Sequence, residues 1–306
     1  MRQQFPNTVH ELMKANDKVV LLFGDVGTYG FRHCAAEFPD RVYNVGILEQ
    51  SMMSIAAGIA MQGLIPVVHT IAAFLVERAF EQIKDDFGYQ KLGGNFVSIG
   101  GSYDLASWGC THEAPSDVGL VKNIPGAEVV VPGTPAEFDH LFKQSYDNGH
   151  PTYFRLSAKS NAETHDVSFG KANVVKVGAE ATIIAVGPML DRVLEACKGL
   201  DVTVLYYTSL QPFDQETLRA NFRGGRLIVC EPYYSGACAA DIASALRKYP
   251  AATTYIGVPR EFPHHYGNVD DIDTVFHLTA GGIRAQIEEA LSPEEETYRA
   301  PSLTLR

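Results

Sequence analysis

Short apolar, β-branched runs alternate with longer amphipathic stretches along most of this sequence. The runs begin with Lys18-Val-Val-Leu-Leu-Phe23 and continue with Leu64-Ile-Pro-Val-Val-His69, Asn95-Phe-Val-Ser-Ile-Gly100 and Glu128-Val-Val-Val131. Segments this short, apolar toward both faces, read as strands of a parallel sheet covered on each side. Between them, helical spacing of apolar residues runs from Thr8 to Ala15, Leu48 to Gln62 and Phe74 to Phe87. It returns from Pro135 to Asn148 behind the start signal Gly133-Thr134. Strands alternating with helices call for a doubly wound α/β layer structure. A polar stretch from Ser157 to Ser168 interrupts the pattern, and a more compact round follows. Its strands fall near Ala181–Val186, Val202–Tyr206 and Arg226–Cys230, its helices near Pro188–Leu200, Asp214–Phe222 and Cys238–Lys248. The expectation is two doubly wound α/β domains: residues 1–160, with a mostly parallel sheet, and a smaller one at 172–306.

With 306 residues, 46% of them apolar, the chain has enough material for two buried cores. Its 25 basic and 36 acidic residues give a net charge of −11, which disfavours nucleic acid and anionic membranes and points to small molecules or protein partners. The longest apolar run, Ala181 to Val186, is far below the ~18–20 residues that span a bilayer, and no basic-then-apolar leader opens the chain. Five cysteines, widely spaced and without a CxxC pair, disfavour a disulfide framework or a zinc site; a reducing cytoplasm fits. The acidic tail Ser292-Pro-Glu-Glu-Glu296 reads as solvated, with Leu303 and Leu305 able to pack on a partner.

Several residues stand out chemically. Gly24-Asp-Val-Gly-Thr-Tyr-Gly30 follows the first strand, where α/β proteins bind ligands, yet it matches neither GxGxxG nor GxxxxGK[ST]. Glu49 is an acid in the first turn of an otherwise apolar helix. Helix-dipole placement explains it without function; a carboxyl held among apolar neighbours, with a raised pKa, could instead share a proton with a ligand nitrogen. His112 lies in the loop Gly101 to Pro115 beside the single tryptophan, Trp108, where it either satisfies backbone groups or works as an acid–base residue. Cys110, two residues away, makes a poor nucleophilic dyad with it, because dyad members usually come from different segments. His264-His265 reads as a surface pair and Arg155 as a strand-end ion partner.

Taken together, these segments resemble the pyrimidine-binding and C-terminal domains of transketolase-like thiamine diphosphate enzymes, over nearly the whole chain. The resemblance rests on Gly24-Asp-Val-Gly27, on Gly46-Ile-Leu-Glu-Gln50 and on Thr70-Ile-Ala-Ala-Phe-Leu-Val-Glu-Arg-Ala-Phe-Glu-Gln-Ile83. It continues in Gly109-Cys-Thr-His112 with Asp117, Ile124-Pro-Gly126, Val131-Pro-Gly-Thr-Pro135 and Tyr153-Phe-Arg-Leu156. It implies that Glu49 hydrogen-bonds the aminopyrimidine of the cofactor and promotes its imino tautomer. It implies further that Phe74 stacks on that ring, Ile71 walls it and Val26 holds the cofactor bent. His112 then orients or protonates sugar hydroxyls, Arg155 reaches the distal end of a substrate, and Arg2 serves as a second anion-binding arginine.

The same resemblance implies a partner. Family members hold the diphosphate and Mg²⁺ through Gly-Asp-Gly and a downstream Asn on a separate domain, and this chain has no such pair. Gly24-Asp25 with Asn44 is a decoy: valine replaces the third glycine and the spacing is short. An N-terminal diphosphate-binding subunit is therefore expected, by analogy in an α₂β₂ assembly. Gly100 and Trp108 stand where metabolic transketolases carry a histidine and an aspartate, so that Trp108, Tyr103 and Asp104 imply a reshaped substrate site, for an acceptor other than a simple aldose phosphate, such as a modified or nucleotide-linked sugar. Tyrosines in Val229-Cys-Glu-Pro-Tyr-Tyr-Ser-Gly236 leave the second domain to serve assembly. The leading expectation is the C-terminal subunit of a two-component transketolase that moves a two-carbon ketol unit to an aldehyde. Its rivals are the β subunit of a 2-oxoacid dehydrogenase, a silent scaffold subunit, and a dinucleotide-binding protein, for which no glycine fingerprint is found.

Overall fold

A computed structural model describes residues 1–262, 264 and 266–292. His265, the tail beyond Ser292 and, within it, Leu303 and Leu305 lie outside the described residues.

The apolar runs form the strands they promise. β1 (Val19–Phe23), β2 (Val42–Asn44), β3 (Ile65–Ile71), β4 (Gly94–Ile99), β5 (Glu128–Val130) and β6 (Pro151–Arg155) build the first sheet, and all but β2 are buried along their length. The second sheet holds β7 (Ala172–Lys176), β8 (Ala181–Val186), β9 (Val202–Tyr207), β11 (Arg226–Tyr234) and β12 (Ala252–Val258). Between β9 and β11 lies β10 (Ser209–Gln211), which leaves its own half and pairs antiparallel with β5. The first sheet thus has seven strands in the order β10-β5-β6-β4-β3-β1-β2, and the second has five in the order β12-β11-β8-β9-β7. Each is parallel apart from one edge strand, β10 in the first and β7 in the second. The architecture is therefore two α/β layers with mostly parallel sheets.

Helices cover both faces of the first sheet. On one, Gln4–Ala15 packs against Pro135–Ser145, with Phe5 near Phe138 and Phe142 at ring-centroid distances of 5.8 and 6.2 Å. On the other, Glu49–Met61 buries Met52, Met53, Ala56 and Ala57, whose small and flexible side chains let the helix lie close to the strands. The stretch expected as one helix from Phe74 to Phe87 is instead mostly π-helical, over Ala73–Arg78 and Ile83–Tyr89, around one ordinary turn at Phe80–Gln82. Such widened turns recur at functional sites, because the extra residue re-aims the side chains.

The halves are tied by buried polar groups as well as by β10. Glu137 accepts from Gly133 N at 2.8 Å and Tyr206 Oη at 2.6 Å through Oε2, and from His165 N at 3.0 Å through Oε1. Among the described residues no helix is long and apolar enough to cross a membrane.

Candidate active site

The chain leaves β1 toward β2 on one side and leaves β3 toward β4 on the other. Diverging connections open a crevice at the carboxyl ends of β1 and β3, where α/β sheets bind ligands. Gly24 and Val26 lie at the end of β1, Ile71 ends β3, Glu49 opens the helix on the flank, and Phe74 and Arg78 follow β3 on the π-helical turn.

Glu49 is 1% exposed. Its Oε2 accepts from Arg78 Nη1 at 2.7 Å, whereas Oε1, also buried, has no hydrogen-bond partner among the described residues. A buried carboxylate oxygen without a donor is costly and calls for one from outside. The approach to it is kept open by glycine: a Cβ on Gly24 would stand 2.9 Å from the Gly46 carbonyl oxygen and 3.7 Å from Glu49 Oε1. Gly27 takes φ +90°, and its Cβ would collide with Phe31 at 2.8 Å. Asp25 and Asn44 are tied to each other: Asp25 N donates to Asn44 Oδ1 at 3.1 Å and Asn44 Nδ2 to Asp25 Oδ1 at 3.0 Å. That pair fastens the loops after β1 and β2.

Phe74, half-buried, presents a ring with the Arg78 guanidinium 4.2 Å from its centroid on one side and the His112 ring 5.0 Å away, edge to face. His112 also meets the exposed Trp108 at 4.8 Å, and Thr111 Oγ1 lies 2.9 Å from its Nδ1. Val26 is half-buried and Ile71 buried. The structure therefore brings together Val26, Glu49, Ile71, Phe74, His112 and Trp108, and adds Arg78. These residues fit a planar ring bearing a nitrogen: an aromatic face, aliphatic walls and one buried oxygen awaiting a hydrogen.

Four further residues singled out in the sequence have other neighbours. Expected at the distal end of a substrate, Arg155 is 1% exposed. It donates to Asp117 Oδ2 (2.8 Å), Ser102 Oγ (2.6 Å), Ser157 Oγ (3.2 Å) and the Pro232 carbonyl (3.3 Å). A guanidinium so engaged is a buried clamp between the halves, since Pro232 belongs to β11. Tyr103 is buried too and donates to Asp273 Oδ1 at 2.6 Å; burial and that neighbouring carboxylate raise its pKa well above the usual phenol range. Asp104 Oδ2 accepts from Ala158 N at 2.8 Å, and burial lifts its pKa to about 6, opposed by Arg155. Both tyrosine and aspartate thus brace the junction. Arg2 is exposed before the first helix, and its charge reaches His69. That imidazole, lowered to about 4 mainly by burial, is neutral, with Nδ1 donating to the Val97 carbonyl at 2.7 Å.

Arg78 is not distinguished by the sequence, because an arginine on a helix reads as a solvated side chain. Its spacing four residues after Phe74 was the available signal.

Residues 1–163 match the transketolase pyrimidine binding domain and residues 170–283 the transketolase C-terminal domain. The chain belongs to the transketolase family. All the crevice residues lie within the first match. An uncharacterized 33.6 kDa protein of the fasciation locus of Rhodococcoides fascians is 38% identical, over 94% of this chain and 93% of that one. One of the subunits of the apulose-4-phosphate transketolase of Phocaeicola vulgatus is 30% identical, over 92% and 94%. Among solved structures, a split-gene transketolase in the form of an inactive β4 tetramer superposes with a TM-score of 0.84 at 29% identity, covering 95% of this transketolase-family chain and 97% of the other.

Proposed function

We propose that this chain is one of the two kinds of subunit of a split transketolase, supplying the pyrimidine side of a thiamine diphosphate site and working only with a partner that carries the diphosphate and Mg²⁺ site. The observation that carries this reading is Glu49 Oε1, buried and without a donor at the mouth of the β1–β3 crevice. When bound, thiamine diphosphate supplies the carbanion stabilisation that cleaving a ketose carbon–carbon bond requires.

The chain's own residues would then divide the work. Glu49 Oε1 would share a proton with a ring nitrogen, and Arg78 fixes the orientation of that carboxyl group through Oε2. Phe74 packs on the ring, with Val26 and Ile71 as walls. His112, set by Thr111 and framed by Phe74 and Trp108, orients or protonates substrate hydroxyls. Trp108 narrows the mouth, and Arg155, spent within the fold, offers nothing to a phosphate. Both features favour an acceptor other than a simple aldose phosphate.

An α₂β₂ assembly with the diphosphate-binding subunit follows from the same reading. The relative named as one subunit of an apulose-4-phosphate transketolase and the split-gene relative described as an inactive β4 tetramer both support the need for a second kind of chain. Five free thiols, one of them exposed, suit a reducing cytoplasm.

The test is reconstitution with a neighbouring gene product bearing Gly-Asp-Gly and a downstream Asn, together with thiamine diphosphate, Mg²⁺ and panels of ketoses and aldehydes. Ketol transfer should need both chains. Acyl transfer to a lipoyl carrier in its place would overturn the reading.

A further inference from the structure

Glu113, next to His112, is 4% exposed, and neither carboxylate oxygen has a hydrogen-bond partner among the described residues. The other orphaned acids each keep one partnered oxygen, Glu49 with Arg78 and Glu231 with Gly236. Glu113 keeps none. It lines a cleft of about 280 Å³ shared with Glu77, Cys110, Ser116, Tyr234 and Phe262. Glu77 accepts from Ser116 Oγ through Oε1, which leaves its second oxygen without a donor among the described residues. Desolvation lifts Glu113 to about 7 and raises Glu77 as well. The nearby cation Arg260 touches the electrostatics of Tyr234 and lines the neighbouring cleft, not this one.

We propose that this cleft binds an organic cation, an alkylammonium or guanidinium group, between the carboxylates of Glu77 and Glu113 and against the rings of Tyr234 and Phe262. Charge decides the sign of the ligand. Two acids, Glu113 buried and Glu77 exposed at its edge, with no basic side chain among the described residues that line the cleft, leave a negative site that an incoming cation would satisfy, its N–H groups donating first to the orphaned oxygens of Glu113. Geometry decides its kind. Among the described residues no group of three or more His, Cys, Asp or Glu side chains could hold a metal ion, while the aromatic walls suit a cation with a hydrocarbon body. The volume admits a group of a few heavy atoms. Such a group could arrive on a free amine or on a lysine or arginine of the partner subunit, and the chemistry of the site is the same for both.

The probes are n-butylammonium and n-butylguanidinium, with 1-butanol as the neutral control, titrated calorimetrically into the purified full chain at pH 8. Saturable binding of the cations but not of butanol is expected, weakened at least tenfold by Glu113→Gln and severalfold by Glu77→Gln. Glu113→Gln keeps size and removes an unpaired buried charge, so it should fold, which the thermal midpoint verifies. Repeating the titration on the complex with the partner subunit separates the two sources. Retained binding assigns the site to a free cation. Competition between probe and partner, with assembly weakened by Glu113→Gln, assigns it to a partner side chain. If the wild-type chain binds neither probe and assembly ignores Glu113→Gln, or if both forms bind equally, the cleft is not a cation site. The titration of the isolated chain stands apart from the transketolase reading, so that either can fail alone.

Discussion

Arg78 Nη1 donates to Glu49 Oε2 at 2.7 Å, although the two residues come from different elements and only the carboxylate is buried. The same guanidinium covers the Phe74 ring at 4.2 Å. One side chain thus orients both the acid and the aromatic face of the crevice.

Removing that side chain should cost twice. In Arg78→Ala the buried carboxylate loses its one partner among the described residues, which is expected to destabilise the fold by about 1–3 kcal/mol. Turnover of the assembled enzyme should fall about tenfold or more, a factor that corresponds to roughly 1.4 kcal/mol of lost orientation. Arg78→Lys should recover much of the stability and little of the turnover, because an ammonium restores the charge without the planar face. Urea unfolding and steady-state kinetics check both. Unchanged turnover in Arg78→Ala would show that Glu49 needs no orientation from it.

Much of this arrangement could be read from the sequence, for reasons that differ by residue. β1 and β8 were legible because their apolar runs are short, β-branched and unbroken. Glu49 was legible because an acid among Met, Ile and Ala breaks the local pattern. β10 was not, since Ser209-Leu-Gln211 carries no apolar period and pairs only because Val130 offers it a free sheet edge. The π-helical turns were hidden because their amphipathic spacing imitates that of an ordinary helix. The surroundings of Arg155 are hidden in the sequence for a different reason. Its partners Ser102, Asp117 and Pro232 lie 53, 38 and 77 residues away, and only the closed fold shows that they consume its donors.

That clamp makes its own prediction. Asp117 and Arg155 are 0% and 1% exposed and also engage Tyr153 and Ser102. Breaking a buried pair leaves an uncompensated charge, so Asp117→Ala should lose about 3–5 kcal/mol. Replacing both members by apolar residues of similar size should lose much less. Denaturant unfolding of the two variants tests this, and equal losses would contradict it.

Glu231 sets a pH dependence. It is wholly buried, Oε1 accepts from Gly236 N at 2.6 Å, and Oε2 has no hydrogen-bond partner among the described residues. Burial lifts its pKa to about 7 from an ordinary 4.5, against the hydrogen bond from Gly236 and, more weakly, the charge of Lys122. An acid whose pKa is raised by folding binds its proton more tightly in the native state, so stability falls as pH rises from about 4.5 to 7 and then levels off. The shift corresponds to a loss on the order of 3 kcal/mol. Glu231→Gln, which keeps an acceptor for Gly236, should flatten this part of the profile and stabilise the chain above pH 7. Identical slopes for wild type and variant between pH 4.5 and 7 would place the proton elsewhere.

The central claim is that Glu49 presents a proton to a bound ring nitrogen. Its most direct measure is ketol transfer by Glu49→Gln in the complex with the partner subunit, at saturating thiamine diphosphate and Mg²⁺. Turnover should drop at least a hundredfold, as for the loss of a positioned acid–base group, while the complex still assembles. Ketol transfer at the wild-type rate would contradict the account.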